Sequence, residues 1–238
     1  MKNRWQEIRE TIAPNFWAVA ALFCGVLLPL VVLGKIADNV HDGDSFSFDD
    51  QILLFFHQFA SIKRDSLVMH FTDLGRVQWM VPFCILVTAG LWISRRRSQA
   101  KFFALSSAGA AVLNVAAKLF FGRDRPALWT SPAPETDFGF PSGHAMVSMA
   151  VMLALVILLW PTRYRWPMTL FAVFFVVLIG LTRLYLGVHY PTDVLGGWCA
   201  ALAWVGGLNA AILARQRWRA RLDNFKAKHR VPEEVSTS

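Results

Sequence analysis

The stretch Phe140-Pro141-Ser142-Gly143-His144 leads directly into Ala145–Trp160 (AMVSMAVMLALVILLW), a polar turn at the mouth of an apolar run without a charged residue. Counted from the turn, the run approaches the length a helix needs to cross a hydrocarbon layer of about 30 Å. Charged residues gather around it in sequence. Lys118, Arg123 and Arg125-Pro126 precede it, and Arg183, His189 and Asp193 follow the next apolar run.

Composition agrees with lipid as the solvent. Of 238 residues, 55% are hydrophobic, with 10 Trp and 19 Phe, a bias that soluble domains of this size do not show. A net charge of +8 would suggest nucleic acid as a partner of a soluble protein. Here most Lys and Arg occupy short connectors between apolar runs, where they orient a membrane protein, so nucleic acid is not expected. Cys24, Cys84 and Cys199 all lie inside apolar runs without Cys-x-x-Cys spacing and read as packing residues rather than a disulfide or zinc framework.

Taken in order, residues 1–15 carry Lys2, Arg4 and Arg9 and read as a cytoplasmic N-terminus before a first span from about Phe16 to Ile36. That run is longer than a signal-peptide core and no convincing small-x-small cleavage site follows, so it reads as a retained helix. Asp38, Asp42, Asp44, Asp49 and Asp50 suggest a far-side loop that ends by capping a helix. Gln51–Ala60 is too short to span and reads as an interfacial helix. His57 and His70 lie close by without partner spacing and are not expected in a site. A second span, Val77–Ile93, stops at Arg95-Arg96-Arg97, and a third, Phe102–Phe121, is rich in small residues (ALSSAGAAVLNVAA) that suit a central helix packed closely in lipid. Residues 122–141 form a loop outside the membrane. The fourth span ends at Trp160 before Arg163 and Arg165, the fifth covers Pro167–Leu186 and the sixth Val194–Leu213. A basic tail follows with Arg215, Arg217, Arg219, Arg221, Lys226, Lys228 and Arg230. The expectation is an all-α integral membrane bundle of six transmembrane helices with a short interfacial helix. The six-span domain covers 16–213, the tail 214–238 is cytoplasmic like the N-terminus, and the protein resides in the inner (cytoplasmic) membrane with membrane lipids around it.

This topology sends Lys118, Arg125, His144, Arg183, His189 and Asp193 to the same, outer end of the bundle. Ionisable side chains near span ends are costly unless paired or facing water, so such a gathering points to function. Snorkelling towards headgroups would account for Lys118 or Arg183 singly but not for the histidines. Guanidinium forks from Arg125 and Arg183, with the compact charge of Lys118, match the spread charge of a phosphoryl group. Ser142 and Gly143 add a hydroxyl and accessible backbone N–H groups at a helix N-terminus. As a hydrolase nucleophile Ser142 would lack the Gly-x-Ser-x-Gly elbow. Asp193 follows His189 by one helical turn, with Pro191 suited to the first turn of the sixth helix. A carboxylate on one ring nitrogen leaves the other with a free lone pair, which makes His189 the candidate nucleophile. Two histidines and an aspartate can also bind zinc, an alternative that three neighbouring cations disfavour.

Lys118-x6-Arg125-Pro126, Pro141-Ser142-Gly143-His144 and Thr182-Arg183-x5-His189-x3-Asp193 resemble, in order and spacing, the three signature motifs of the type-2 phosphatidic acid phosphatases. Thr182 stands where that family usually has Ser, which keeps the hydroxyl. The resemblance implies that Lys118, Arg125, Ser142, Gly143 and Arg183 bind phosphate and that His189 attacks it to form a phosphohistidine. It further implies that Asp193 orients His189, that His144 protonates the leaving group, and that no metal or other cofactor is needed. The soluble vanadium haloperoxidases share these motifs but lack such spans. The function expected is hydrolysis of a membrane lipid phosphate or diphosphate, of phosphatidic acid, phosphatidylglycerol phosphate or undecaprenyl diphosphate type, on the extracytoplasmic side. Transfer of the phosphoryl group to another lipid, and non-catalytic anion or lipid transport, are the alternatives.

Overall fold

The structure, a computed structural model, describes residues 20, 22–43 and 46–228. The expected N-terminal segment, the start of the first span at Phe16, Asp44 and the tail from His229 onward fall outside the described residues. Eight helices and no strand are found among the described residues. Helix α1 (Phe23–His41) opens with a π-helical turn through Leu27. It is followed by α2 (Ser47–His57), α3 (Ile62–Asp73), α4 (Val77–Ile93) and α5 (Arg97–Phe121). Helices α6 (Gly143–Leu159), α7 (Arg165–Tyr185) and α8 (Pro191–Lys228) complete the chain.

Five helical stretches are long and apolar enough to cross a membrane: α1, the α3–α4 segment, α5, α7 and α8. Helix α6 is apolar but shorter, at 17 residues. Its place explains its composition. It packs against α5, α7 and α8, so Met146, Ala150, Val151 and Ala154 are buried on several sides. The centre of the bundle is therefore α6 rather than α5, whose small residues serve as one of its walls. Large apolar side chains on α4 and α7, including Trp79, Leu86, Leu170 and Phe174, are left on the outside, as expected where lipid replaces water.

Helix ends follow local chemistry. Gly122, at φ 56°, closes α5 by donating its N–H to the Lys118 carbonyl, the left-handed ending that glycine adopts without penalty. Pro191 opens α8, as its missing N–H permits.

Several boundaries differ from the sequence reading. Helix α1 continues past Ile36 to His41. The short outer helix starts at Ser47 rather than Gln51 and has no side-chain cap; Asp49, instead of capping it, is buried and directed at another helix. Helix α3 was not anticipated, because Lys63, Arg64 and Asp65 interrupt its apolar pattern. Together α2 and α3 lie over α7, with α2 also touching α8. Helix α8 does not end near Leu213 but continues unbroken to Lys228, so the basic segment extends the last span.

The junction between α6 and α8 is tight. A Cβ at position 197 would lie 2.8 Å from the Ser142 carbonyl oxygen and 3.1 Å from the Met146 nitrogen, and backbone cannot step aside as a side chain can. Gly197→Ala should destabilise the protein by about 1–3 kcal/mol, the usual cost of overpacking. Gly207→Ala, where a Cβ meets nothing within 4 Å, should not. Thermal unfolding of both variants in detergent checks this pair.

Candidate active site

Four helices and two of the loops beside them deliver the sequence-predicted residues to one end of the bundle. Lys118 is in the last turn of α5, Arg125 in the loop after it, and Gly143 and His144 open α6 with Ser142 just before them. Arg183 ends α7, His189 lies between α7 and α8, and Asp193 is in the first turn of α8. Lys118, Gly143, His144 and His189 line one cleft of about 490 Å³, together with Glu135 and Asp137 from the loop and Val77, Met80 and Val81 of α4.

The three cations are already engaged. Arg183, 1% exposed, pairs with Glu135 and donates 2.8 Å to the Thr72 hydroxyl of α3. Arg125 reaches the other Glu135 oxygen at 2.7 Å and also pairs with Asp137. Lys118 Nζ donates to Asp137 Oδ2 at 2.5 Å and to the Phe138 carbonyl at 2.6 Å. Burial acts to raise the Glu135 carboxyl, but the Arg183 and Arg125 charges outweigh it and hold it below the usual range. Asp137 is likewise opposed by burial, yet Lys118 and Arg125 lower it to about 2. Both are therefore anions at neutral pH, and they cover the nitrogens a phosphoryl group would use.

The tautomer of His189 follows from its neighbour. Arg125 Nη1 lies 3.1 Å from Nε2, and a guanidinium only donates, so Nε2 accepts and the proton resides on Nδ1. Nδ1 faces Asp193 Oδ2 at 3.5 Å, longer than an ordinary N–H···O bond. Burial first, then the charges of Arg183 and Arg125, holds this imidazole well below its ordinary pKa. It is neutral across the physiological range, and its Nε2 lone pair, at the edge of the cleft, accepts the Arg125 N–H. His144 Nε2 and Ser142 Oγ are buried without a protein hydrogen-bond partner, which leaves both with bonding capacity to offer a ligand. At Gly143 a Cβ would come within 3.0 Å of Asn114 Oδ1, while Asn114 Nδ2 holds the Pro141 carbonyl at 3.0 Å.

Sequence reasoning missed Glu135, Asp137, Thr72 and Asp49, and gave Arg123 no role in the site. No spacing rule ties a loop carboxylate to cations on separate helices; the only signal was two acids just before the Pro141-Ser142-Gly143-His144 turn. His57 stacks on Trp129 at 4.1 Å and His70 contacts the Ser66 carbonyl, so both have local structural partners. Among the described residues, no three His, Cys, Asp or Glu side chains are grouped as a metal ion would require.

Glu135 occupies two of these cations, so an oxyanion binding to them would have to displace it. Glu135→Gln should tighten inhibition by inorganic phosphate about tenfold, the scale of one charge-assisted hydrogen bond. Weaker inhibition would instead make Glu135 a supporting residue of the anion site.

Residues 99–217 match the PAP2 superfamily. Phosphatidylglycerophosphatase B of Bacillus subtilis is 30% identical over 136 residues, 55% of this chain and 66% of that protein. An undecaprenyl-diphosphatase of Sulfolobus acidocaldarius is 27% identical over 203 residues, 83% of this chain and 90% of that protein. Among solved structures, a transmembrane PAP2-type phosphatidylglycerolphosphate phosphatase from Bacillus subtilis superposes with a TM-score of 0.69 at 22% identity, covering 87% of this chain and 98% of that one. Aquifex aeolicus LpxE gives 0.57 at 23% identity, over 70% and 96% of the respective chains. With half of its length matched, signature motifs included, this multi-pass membrane chain belongs to the PAP2 superfamily.

Proposed function

We propose that the protein is a metal-independent membrane lipid phosphatase acting on a lipid phosphate or diphosphate through a phosphohistidine at His189. The observation that carries this reading is the position of the Glu135 carboxylate. It bonds both Arg125 and Arg183 and has an oxygen 3.8 Å from His189 Nε2. A phosphoryl group in its place would draw the Arg125 N–H off Nε2 and present phosphorus to the freed lone pair, with oxygens on the arginines, Lys118, the Ser142 hydroxyl and the Gly143 N–H.

In the first half-reaction Nε2 forms a bond to phosphorus as the bond to the lipid oxygen breaks, and His144, which takes up a proton as the anionic substrate offsets the neighbouring cations, gives that proton to the oxygen. In the second, water loses a proton to His144 and attacks phosphorus, the N–P bond breaks, and phosphate leaves. Fixed cations stabilise the charge that gathers on the transferring group. Three cations supply what a metal ion would otherwise provide.

Support for a lipid substrate comes from the cleft's shape. Met80, Val81, Ala111 and Val147 line both the polar cleft and an apolar groove of about 550 Å³ between α4 and α5, which runs on past Cys84 and Thr88 to Trp92. Phosphate at one end and apolar chain along the groove suit an amphiphile entering from the bilayer. The named relatives act on phosphatidylglycerophosphate and undecaprenyl diphosphate, and a third, from Bacteroides thetaiotaomicron, is a lipid A 4'-phosphatase. The orientation proposed places the site on the extracytoplasmic face of the inner membrane and both termini inside. Arg95–Arg97, Arg163–Arg165 and Arg215–Arg221 then occupy the cytoplasmic end.

His189→Ala should abolish turnover for every substrate. His144→Ala should lose about 10²-fold or more on a simple lipid phosphate, whose alkoxide leaves poorly without a proton, and distinctly less on p-nitrophenyl phosphate. Rates of phosphate release from the two substrates decide the matter. Equal losses would make His144 a binding residue rather than the acid.

A further inference from the structure

Asp49 opens the short outer helix α2 and is 1% exposed, although the sequence places it in an acidic stretch that would be expected to face water. Its Oδ1 accepts the Thr192 backbone N–H at 3.1 Å, satisfying a donor in the first turn of α8 that no residue of α8 can reach. Its Oδ2 accepts the Thr192 hydroxyl at 2.6 Å and Arg123 Nη2 at 3.1 Å. Arg123 continues the chain of contacts: Nη1 donates to Thr192 Oγ1 at 2.8 Å and to Asp193 Oδ1 at 2.6 Å. Its guanidinium lies 4.5 Å over the Tyr190 ring. The remaining Asp193 oxygen accepts the Tyr190 N–H at 2.8 Å and faces His189 Nδ1.

We infer that Asp49 and Arg123 are positioning residues for phosphoryl transfer: they hold Asp193 against His189 and leave it enough negative charge to do its work. This rests on the reading of His189 as the nucleophile. The geometry argues for it in two ways. Asp193 is fully buried and can rotate only if the Arg123 and Tyr190 bonds both break, so its direction towards Nδ1 is fixed before substrate arrives, which is where a small misplacement costs most. Charge is the second. One guanidinium is shared by two carboxylates, so Arg123 is not spent on Asp193 alone. When Nε2 bonds to phosphorus the imidazole becomes cationic, and the negative charge left on Asp193 stabilises it. Without Asp49, the whole Arg123 charge would fall on Asp193 and cancel it. Helix α2 thereby gains a part in the reaction, although it contributes no residue to the cleft.

A double-mutant cycle tests the inference. Asp49→Asn keeps the shape and removes the charge; it should lower kcat about tenfold to a hundredfold, with KM changed less than about twofold. In an Asp193→Asn background the same change should cost less than about twofold, since residues that act through one another are not additive. Arg123→Lys, which keeps a charge but not the fork, should behave in the same way and serves if Asp49→Asn folds poorly. Nitrogen NMR of the His189 ring gives a measure independent of turnover: Asp49→Asn should shift Nδ1. Losses that multiply in the Asp193→Asn background, an unchanged kcat, or an unmoved Nδ1 resonance would each overturn the inference. His189→Ala, measured alongside, isolates the other failure: if it still turns over, the nucleophile assignment falls while the cycle still reports on Asp49.

Discussion

Arg183 has its guanidinium almost wholly removed from solvent at the end of α7, and the architecture of this end of the bundle follows from neutralising that charge. An unpaired buried cation would cost several kcal/mol. The protein meets it with Glu135, and the same carboxylate reaches Arg125, which is held in turn by Asp137 beside Lys118. The loop from Arg123 to Phe140 is thus fixed over the site by the very cations that would hold substrate. Glu135 is one-quarter exposed and Asp137 58% exposed at the side chain, so these partners can be exchanged for a phosphoryl group without unfolding anything buried.

The rest of the site is arranged around the same charges. Burial, with two guanidinium groups beside it, holds the His189 imidazole below its ordinary pKa; in the proposed reaction the same guanidinium groups oppose the positive charge the ring would acquire on attack. Asp193 answers that opposition from the other side of the ring. Asp193 is itself steered by Arg123 and, behind it, Asp49. With cations on one side of the ring and carboxylates on the other, the surroundings would polarise it along the direction of the proposed reaction.

Much of this was legible in the sequence. The ends of α4 coincide with the expected span, and α5, α6 and α7 agree to within a few residues, because their apolar runs end at Arg95-Arg96-Arg97, Gly122 and Pro161 and begin at Pro141-Ser142-Gly143 and Arg165. Lys118, Arg125, Arg183, both histidines and Asp193 do come together at one end of the bundle. What stayed hidden lacked periodicity. Helix α3 has three charged residues in its first turn and a weak apolar pattern, and its contacts with α7, Thr72 with Arg183 and Asp65 with Tyr185, show why it is there. Glu135 and Asp137 carry no motif and Asp49 reads as one of several loop acids, because pairing with a residue on a separate element leaves no trace in local composition. Likewise α8 was cut at Leu213, where hydropathy falls, although nothing in Arg215–Lys228 breaks a helix.

The central claim is that the phosphoryl group passes through His189. Brief exposure of the detergent-solubilised protein to a lipid diphosphate labelled in its terminal phosphoryl group, quenched in alkali and digested, measures which side chain carries the label. The account predicts label on the peptide containing His189, stable to alkali, lost in acid, and absent from His189→Ala. Label on Ser142, or steady turnover with a rapid burst of lipid product and no protein-bound phosphoryl group, would contradict it.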